Sequence, residues 1–197
     1  ESALNNIELL EKYNFEDIII SLKASEVPMT LRAYQLIAKE VDYPLHVGIT
    51  EAGTVKSGTI KSAVGIGSIL AQGLGDTIRV SLTGNPVEEI RVAYEILKSL
   101  NLREKGVKII SCPTCGRCEI DLVEIANQVE EKIAEIDKSI EVAIMGCVVN
   151  GPGEAREADI GIAGGKNEGL IFKDGEPLRK VNNDQLVAEL VDEIRKL

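Results

Sequence analysis

All four cysteines of the chain lie within residues 111–154, a stretch that begins Ser-Cys-Pro-Thr-Cys-Gly-Arg-Cys and ends Met-Gly-Cys-Val-Val-Asn-Gly-Pro-Gly-Glu. Cys112 and Cys115 form a Cys-x-x-Cys pair. A proline stiffens this turn and a glycine lets it reverse, so both sulfurs can face one soft metal centre. Cys147 follows a predicted strand over 141–145, and folding must bring it alongside the pair. This spacing favours an iron–sulfur cluster.

Three other interpretations of the cysteines stay open on spacing alone. Four cysteines can enclose a zinc ion, although zinc sites usually show a second paired half and Cys147 has no cysteine beside it. A structural disulfide requires an oxidising compartment, and the sequence shows no signal-peptide pattern. A thioredoxin-like pair at Cys112 and Cys115 would leave Cys118 and Cys147 without a role.

Composition narrows the classes of protein. The chain has 197 residues, of which 44% are hydrophobic and 27% charged, enough to bury a core in one or two domains. Its longest apolar runs are too short to cross a membrane, so we expect a cytoplasmic protein. A net charge of −10 and an aromatic content of 3% argue against nucleic acid as a partner. An anionic ligand would therefore need a few locally placed cations.

The first half of the chain predicts parallel strand–helix units. The pattern of apolar residues predicts strands over 17–22, 45–50 and 77–81 and helices over 2–13, 28–41, 59–72 and 86–100. Ser2 is the expected cap of the first helix. Three such units cannot close a β/α barrel, which needs about eight strands. We expect either a part of a longer enzyme or a small open sheet.

Three polar residues recur in this half at equal steps. The steps from Lys23 to Glu51 and from Glu51 to Arg79 are both 28 positions. All three residues lie just after or near the ends of the predicted strands, and Ser81 follows on the third strand. Equal steps would place the three at one height at the carboxyl edge, where β/α barrels carry their active sites. The alternative is that they are ordinary solvated residues. His46 is expected to pack beside its strand rather than to bind a metal.

The second half predicts a compact α/β domain. We expect strands over 107–110 and 141–145, a helix over 121–136, a hairpin of strands 160–163 and 170–172, and a final helix to residue 197. Asn182 or Asn183 is the expected cap of the last helix. The predicted domains are 1–104 and 105–197.

Five ordered motifs give the chain a close resemblance to the 4-hydroxy-3-methylbut-2-enyl diphosphate synthase family. They are Ser-Leu-Lys-Ala-Ser (21–25), Leu-His-Val-Gly-Ile-Thr-Glu-Ala-Gly (45–53), Gly-Asp-Thr-Ile-Arg-Val-Ser-Leu (75–82), Cys-Pro-Thr-Cys (112–115) and Gly-Cys-Val-Val-Asn-Gly-Pro-Gly-Glu-Ala (146–155). The resemblance spans the chain but covers only the later portion of the family's usual length. It implies the later part of a TIM-type (β/α) barrel on the substrate side, followed by a small α/β iron–sulfur domain.

The resemblance also implies an oxidoreductase of the non-mevalonate isoprenoid pathway. Such enzymes open 2-C-methyl-D-erythritol 2,4-cyclodiphosphate reductively to 4-hydroxy-3-methylbut-2-enyl diphosphate, with two electrons passing through a [4Fe-4S] cluster from flavodoxin or ferredoxin. They are homodimers in which the cluster domain of one protomer covers the barrel of the other. With the earlier barrel strands absent, we expect these 197 residues alone to be catalytically incomplete.

Site residues follow from the same motifs. The resemblance implies cluster ligation by Cys112, Cys115, Cys147 and the carboxylate of Glu154. It implies substrate binding by Lys23, Arg79, Ser81 and Asn150, and Glu51 as the catalytic acid beside the reacting carbons.

Cys118 departs from this assignment. Spacing alone would choose all four cysteines and leave out Glu154, which would give a ferredoxin-like electron-transfer module or, with zinc, a stabilised binding module. A carboxylate ligand leaves one iron open to substrate, because a hard oxygen is a weaker partner than a thiolate. We therefore expect Cys118 not to be a ligand.

Overall fold

The computed structural model describes residues 1–148 and 158–197, and these form two compact units, Glu1–Arg103 and Glu104–Leu197. Both units mix helices and strands. Within the described residues no helix combines the length and the apolar character needed to cross a bilayer.

The first unit alternates helices with short parallel strands. Its elements are α1 (Ser2–Glu11), α2 (Val27–Ile37), β1 (His46–Gly48), α3 (Val55–Leu70), β2 (Thr77–Arg79) and α4 (Pro86–Ser99). β1 and β2 pair in parallel, and a single parallel bridge joins Ile20 to Leu45. The described residues thus form an open arrangement of adjacent parallel segments, and no closed barrel is seen among them.

The strand predicted over 17–22 is reduced to that bridge. The His46 amide donates to the Ile20 carbonyl (2.7 Å) and the Ile20 amide donates to the Pro44 carbonyl (2.8 Å), while Ile19 is 63% exposed. Because the segment has a partner on one side only among the described residues, it does not extend into a longer ladder.

Two helix starts differ from the prediction. α3 begins at Val55, four residues before the predicted start, and includes the buried Gly58, where an added Cβ would lie 2.6 Å from Leu82 Cδ2. The first helix is preceded by Glu1 and receives no side-chain cap, so the cap predicted at Ser2 is wrong. α4 does carry a cap, since the Asn85 side chain accepts from the Val87 amide (3.0 Å).

Tyr34 ties α2 to the strand segments of the first unit. It is fully buried, and its hydroxyl donates to the His46 carbonyl (2.6 Å) and accepts from the Leu22 amide (3.1 Å). A buried phenol needs such partners, since an unpaired hydroxyl costs about 1–3 kcal/mol. These bonds hold the end of the first segment next to β1.

The second unit contains one five-stranded sheet and two helices among its described residues. Its elements are β3 (Val107–Ser111), α5 (Leu122–Ile133), β4 (Ile140–Met145), β5 (Ile160–Ala163), β6 (Glu168–Lys173), β7 (Glu176–Asn182) and α6 (Leu186–Lys196). The strand order is β3-β4-β5-β6-β7, in which β3, β4 and β5 are parallel and β6 and β7 are antiparallel to their neighbours.

The main core of this unit lies between the sheet and both helices. Val142 and Ile144 of β4 point into it, together with apolar residues of α5 and α6. Ala143 and Met145 belong to a smaller cluster on the opposite face, with Phe172. β4 is buried on both faces, as expected for a central strand with parallel neighbours.

The hairpin predicted over 160–172 is present as β5 and β6. β7 was not predicted, because its sequence is rich in charged residues and it lies at the sheet edge, largely exposed. The predicted caps of the last helix are wrong: α6 starts after Gln185 without a side-chain cap, and Asn183 instead donates to the Gly165 carbonyl (2.8 Å).

Candidate functional site

The cysteines of the second unit meet where two neighbouring parallel strands end. Cys112 follows β3 and Cys147 follows β4, and the two strands pair with Ser111 opposite Ile144. Since the carboxyl ends of parallel strands lie at one edge of a sheet, the register alone brings these two cysteines together. The Cys112 amide donates to the Ile144 carbonyl (3.4 Å), which continues the pairing to the first cysteine.

One pocket of about 120 Å³ is lined by all four cysteines. The lining residues are Cys112, Pro113, Cys115, Arg117, Cys118, Gly146 and Cys147. Cys147 is 6% exposed, whereas Cys115 is exposed to solvent, and none of the four is in a disulfide. The pocket therefore has a sheltered wall at the strand end and an open side at the turn.

Backbone amides and one cation act on two of these cysteines. The Gly146 amide donates to Cys112 Sγ (3.3 Å). The backbone N–H of Arg117, followed by its guanidinium, lowers the pKa of Cys115 below its usual range. A lowered pKa favours the thiolate form of Cys115, and the thiolate is the form that ligates metals.

Cys118 lies against the strand end that carries Cys147. Its thiol donates to the Ile120 carbonyl (3.2 Å), and a Cβ added to Gly146 would lie 2.6 Å from Cys118 Sγ. The Glu119 amide donates to the Gly146 carbonyl (2.9 Å), which fixes the turn on β4. The residue at 146 must therefore be small for the cysteine turn to close.

The donor set suits an iron–sulfur cluster better than a single metal ion. Four thiols around one pocket, with amide donors to sulfur, are the chemistry of cluster ligation. Within residues 1–148 and 158–197, no three His, Cys, Asp or Glu side chains are arranged to hold one metal ion. Asn150 and Glu154 lie outside the described residues.

In the first unit, the strand ends bring Lys23 and Arg79 together. Arg79 pairs with Gly48, and a Cβ added to Gly48 would lie 3.7 Å from Lys23 Nζ and 2.7 Å from the Arg79 carbonyl oxygen. Gly48 is thus the residue level with Lys23 and Arg79, and its missing side chain leaves room for the Lys23 ammonium group. This places two positive groups at the carboxyl edge of the parallel segments.

Glu51 does not share this level. The equal steps of 28 residues predicted that it would, but the pairing register puts Gly48 there and Glu51 three residues further along. The reason is that connections between strands differ in length even when polar residues recur evenly. Glu51 is exposed, has a positive φ of 53°, and its carbonyl accepts from Lys61 Nζ (3.4 Å). Ser81 is half-buried, two residues beyond Arg79, so extended backbone would turn both to the same face.

His46 lies near the cations Lys23 and Arg79, and the sequence did not single it out as functional. Its Nδ1 lies 2.8 Å from Thr77 Oγ1. Burial, followed by Lys23 and Arg79, lowers the pKa of His46, and partial burial followed by Arg79 lowers the pKa of Lys23. The lone histidine in the motif Leu-His-Val-Gly-Ile, two residues before Gly48, was the available signal.

Comparison with known proteins decides the family. The GcpE TIM-barrel domain matches residues 1–94, and the GcpE protein C-terminal domain matches residues 108–196. The chain belongs to the GcpE family. This confirms the family resemblance drawn from the five motifs.

Relatives agree with the two GcpE matches. The chain is 60% identical over its full length to a protein of Geobacter sulfurreducens and 63% identical over 194 residues, 98% of its length, to one of Clostridium acetobutylicum. A protein of Geobacillus kaustophilus is 61% identical over the full chain. All three are named 4-hydroxy-3-methylbut-2-en-1-yl diphosphate synthase (flavodoxin). The chain spans 56%, 56% and 53% of their respective lengths.

Two further residues at the cysteine pocket were not predicted from the sequence. Arg117 contacts the Cys115 sulfur through both backbone and side chain, and Gly146 supplies an amide to Cys112. Arg117 lies between two cysteines, which was a usable signal. Gly146 could not be singled out, because its role depends on the pairing of β3 with β4.

Proposed function

We propose that the chain takes part in the reductive ring opening of 2-C-methyl-D-erythritol 2,4-cyclodiphosphate to 4-hydroxy-3-methylbut-2-enyl diphosphate. The observation that carries this proposal is the convergence of four cysteines on one pocket in a member of the GcpE family. The relatives bear the name of the synthase that makes this product.

Cys112, Cys115 and Cys147 are the proposed cluster ligands, with Glu154 as the fourth. The sheltered position of Cys147 and the amide donor at Cys112 support ligation at the strand ends. Bound there, a [4Fe-4S] cluster would supply the two electrons and an iron open to a substrate oxygen. The ferredoxin-like alternative would need Cys118 as a ligand, and its thiol is engaged with the Ile120 carbonyl.

Lys23, Arg79 and Ser81 are the proposed binding groups for the cyclic diphosphate. Burial, followed by the charge of Arg79, lowers the pKa of Lys23, and a bound anion would offset the repulsion between the two cations. Arg79 would donate paired hydrogen bonds to phosphate oxygens, and the Ser81 hydroxyl would donate one more. Asn150 completes the proposed set.

Glu51 is the proposed proton donor to the reacting carbons. It follows β1 on a backbone held in the left-handed region, a conformation that non-glycine residues adopt rarely and that clusters at functional sites. A carboxyl group placed beside the bound substrate can act as a general acid.

The proposal extends to architecture, partners and location. We infer that the first unit supplies later strands of a TIM-type barrel and the second unit the cluster domain. Exposed Ile60 and Val64, one turn apart on α3, support assembly into a homodimer. Flavodoxin or ferredoxin would deliver the electrons, in keeping with the relatives' name. Free thiol ligands fit a reducing cytoplasm.

A Mössbauer spectrum of the chain tests the ligand set. The protein would be reconstituted without oxygen using isotope-enriched iron. We expect one distinct iron beside three similar ones, since one ligand is a carboxylate. Four sulfur-ligated equivalent irons would implicate Cys118 and favour the electron-transfer module, and a chain that binds zinc but no iron would contradict the proposal.

A further inference from the structure

The cysteine turn contains a second Cys-x-x-Cys pair that the proposed function does not use. Cys115-Gly116-Arg117-Cys118 overlaps the first pair by one residue. Cys115 is a proposed ligand, whereas Cys118 is left over. Its thiol nevertheless lines the same pocket.

The backbone holds these two residues at disulfide range. The Cys118 amide donates to the Cys115 carbonyl (3.0 Å), so residues 115–118 form a hydrogen-bonded turn. The first and last Cα atoms of such a turn are less than about 7 Å apart, and disulfides span about 4.4–6.8 Å between Cα atoms. A Cβ added to Gly116 would meet nothing within 4 Å, so the turn has free space in which to adjust.

The environments of the two sulfurs differ in the way that thiol exchange requires. Cys115 is exposed at the open side of the turn, and its carbonyl accepts the Cys118 amide. Cys118 is half-buried against Gly146 and the Ile120 carbonyl. One sulfur is open to an incoming disulfide, and the other is sheltered from it but adjacent to the first.

The other two cysteines are less suited to pair with Cys115. Cys147 is 6% exposed and lies at the end of β4, on a different element. Cys112 is half-buried and already accepts the Gly146 amide. A bond from Cys115 to either sulfur would have to break contacts at the strand ends, whereas a bond to Cys118 stays within one turn.

We propose that Cys115 and Cys118 form a reversible disulfide when the pocket holds no cluster. The Cys115 thiolate attacks one sulfur of a low-molecular-weight disulfide, forming a mixed disulfide and releasing one thiolate. Cys118, losing its proton to solvent, then attacks the Cys115 sulfur and releases the second thiolate. The two cysteines are oxidised by two electrons, and the small disulfide is reduced to two thiols.

Closing this bond would remove one thiolate from the ligand set, a consequence that rests on the proposed function. Cluster loading would then require prior reduction of the chain. The pair would thus protect a proposed ligand from irreversible oxidation, because a disulfide can be returned to thiols whereas sulfinic and sulfonic acids in general cannot.

Peptide mapping of the cluster-free chain tests the pairing directly. After treatment with glutathione disulfide and alkylation of remaining thiols, trypsin cuts at Lys108, Arg117 and Lys132. A bond from Cys115 to Cys118 joins peptide 109–117 to peptide 118–132, whereas a bond from Cys112 to Cys115 stays inside 109–117. We expect the joined peptides as the main product, and they should separate after reduction.

Two variants assign the sulfurs. Cys112→Ser should still give the joined peptides. Cys118→Ser should instead keep one glutathionyl group on Cys115, with its release slowed at least about tenfold. If the main product is a bond within 109–117, or if Cys118→Ser releases glutathione as fast as the unchanged chain, the proposal is wrong.

Iron loading is measured on the same samples and separates the two proposals. We expect the oxidised chain to take up iron and sulfide only after reduction. If the joined peptides form but reduced chain binds no iron, the proposed function fails and the disulfide stands. If the reduced chain binds iron but no joined peptides form, the disulfide proposal fails alone.

Discussion

The two units carry their candidate groups at the same structural position, the carboxyl ends of parallel strands, but they bring them together differently. In the second unit, three of the four cysteines lie on one turn, and the fourth ends the neighbouring strand of a five-stranded sheet. In the first unit, Lys23, His46 and Arg79 come from three separate segments joined by a short sheet and one bridge.

The electrostatic interactions within the two sites are opposite, since they are favourable at the cysteines and unfavourable between the cations. Amide donors stabilise the cysteines, with Gly146 bonded to Cys112 and Arg117 to Cys115. The cations of the first unit oppose one another, since Arg79 contributes to the lowered pKa of Lys23. The backbone thus supplies donors to sulfur at the cysteine pocket, whereas the two cations of the first unit repel each other.

Cys147→Ser should have the largest effect of the variants considered. The side chain is buried at the end of β4, a central strand, and it is a proposed cluster ligand. We expect the reconstituted chain to lose its visible cluster absorption and its bound iron. Iron content per chain, measured after gel filtration, gives the result.

Cys118→Ser is the matched control for that loss. Its thiol bonds to the Ile120 carbonyl, and a serine hydroxyl can donate in its place. We expect iron content and cluster absorption to be retained. Loss of iron in this variant would identify Cys118 as a ligand. The proposed carboxylate ligand, which leaves one iron open to substrate, would then be wrong.

Arg79→Gln should weaken anion binding at the first unit. Removing one charged hydrogen-bonding group costs about 1.5–3 kcal/mol, which corresponds to a loss of roughly 10- to 100-fold in affinity. Inorganic pyrophosphate is a suitable probe, with binding followed by calorimetry. The pKa of Lys23 should rise at the same time, because Arg79 lowers it.

Arg91→Gln controls for a general change of charge. Arg91 lies on α4 and pairs with Glu88 (2.9 Å) one turn away. It carries the same charge as Arg79 but is not at the strand ends. Equal loss of pyrophosphate affinity in both variants would show non-specific attraction and would contradict a binding site at Arg79.

Gly146→Ala should destabilise the second unit by about 1–3 kcal/mol, the usual cost of overpacking. The new methyl group would lie 2.6 Å from Cys118 Sγ and 3.4 Å from Leu122 Cδ2. Urea denaturation of the chain measures the free energy of unfolding. Adding Cys118→Ala removes the nearer atom and should recover at least about 0.5 kcal/mol.

Gly116→Ala is the control for backbone effects at the cysteine turn. An added Cβ there meets nothing within 4 Å, so we expect little change in the free energy of unfolding. If Gly146→Ala and Gly116→Ala lower the free energy of unfolding equally, the close approach of Gly146 to Cys118 is not the reason that residue 146 must be small.

The cysteine pocket could be predicted in outline because its signal is local. Spacing identified the turn, and the apolar run over 141–145 predicted the strand that delivers Cys147; both are present. Contacts that depend on register were not predictable. The Gly146 amide reaches Cys112 only because Ser111 pairs with Ile144.

The cation site shows the limit of counting along a sequence. Equal steps correctly suggested that Lys23 and Arg79 belong together, and both lie near Gly48. The same arithmetic misplaced Glu51, because loop lengths and not residue counts set the pairing level. The sequence predicts only a packing role for His46, because its relation to the two cations depends on how the segments are aligned.

His46→Gln should have the smallest effect, visible only as a change in pH dependence. Because the pKa of His46 is lowered from 6.5 in the folded chain, the unfolded chain binds the proton more tightly. The contribution of His46 to the free energy of unfolding is therefore complete above pH 6.5, and it is lost as the pH drops through the folded pKa. Glutamine does not titrate, so the decline below pH 6.5 should flatten in the variant.

Pyrophosphate should also flatten the decline in the free energy of unfolding of the unchanged chain below pH 6.5. An anion beside Lys23 and Arg79 offsets their charge, which raises the pKa of His46 and reduces the loss of stability in acid. Thr77→Val removes the hydrogen-bond partner of the ring but leaves the titrating group, so its pH dependence should persist. Equal slopes below pH 6.5 in His46→Gln and the unchanged chain would show that the proton is taken up elsewhere, and the histidine would then not sense the charge of the cation site.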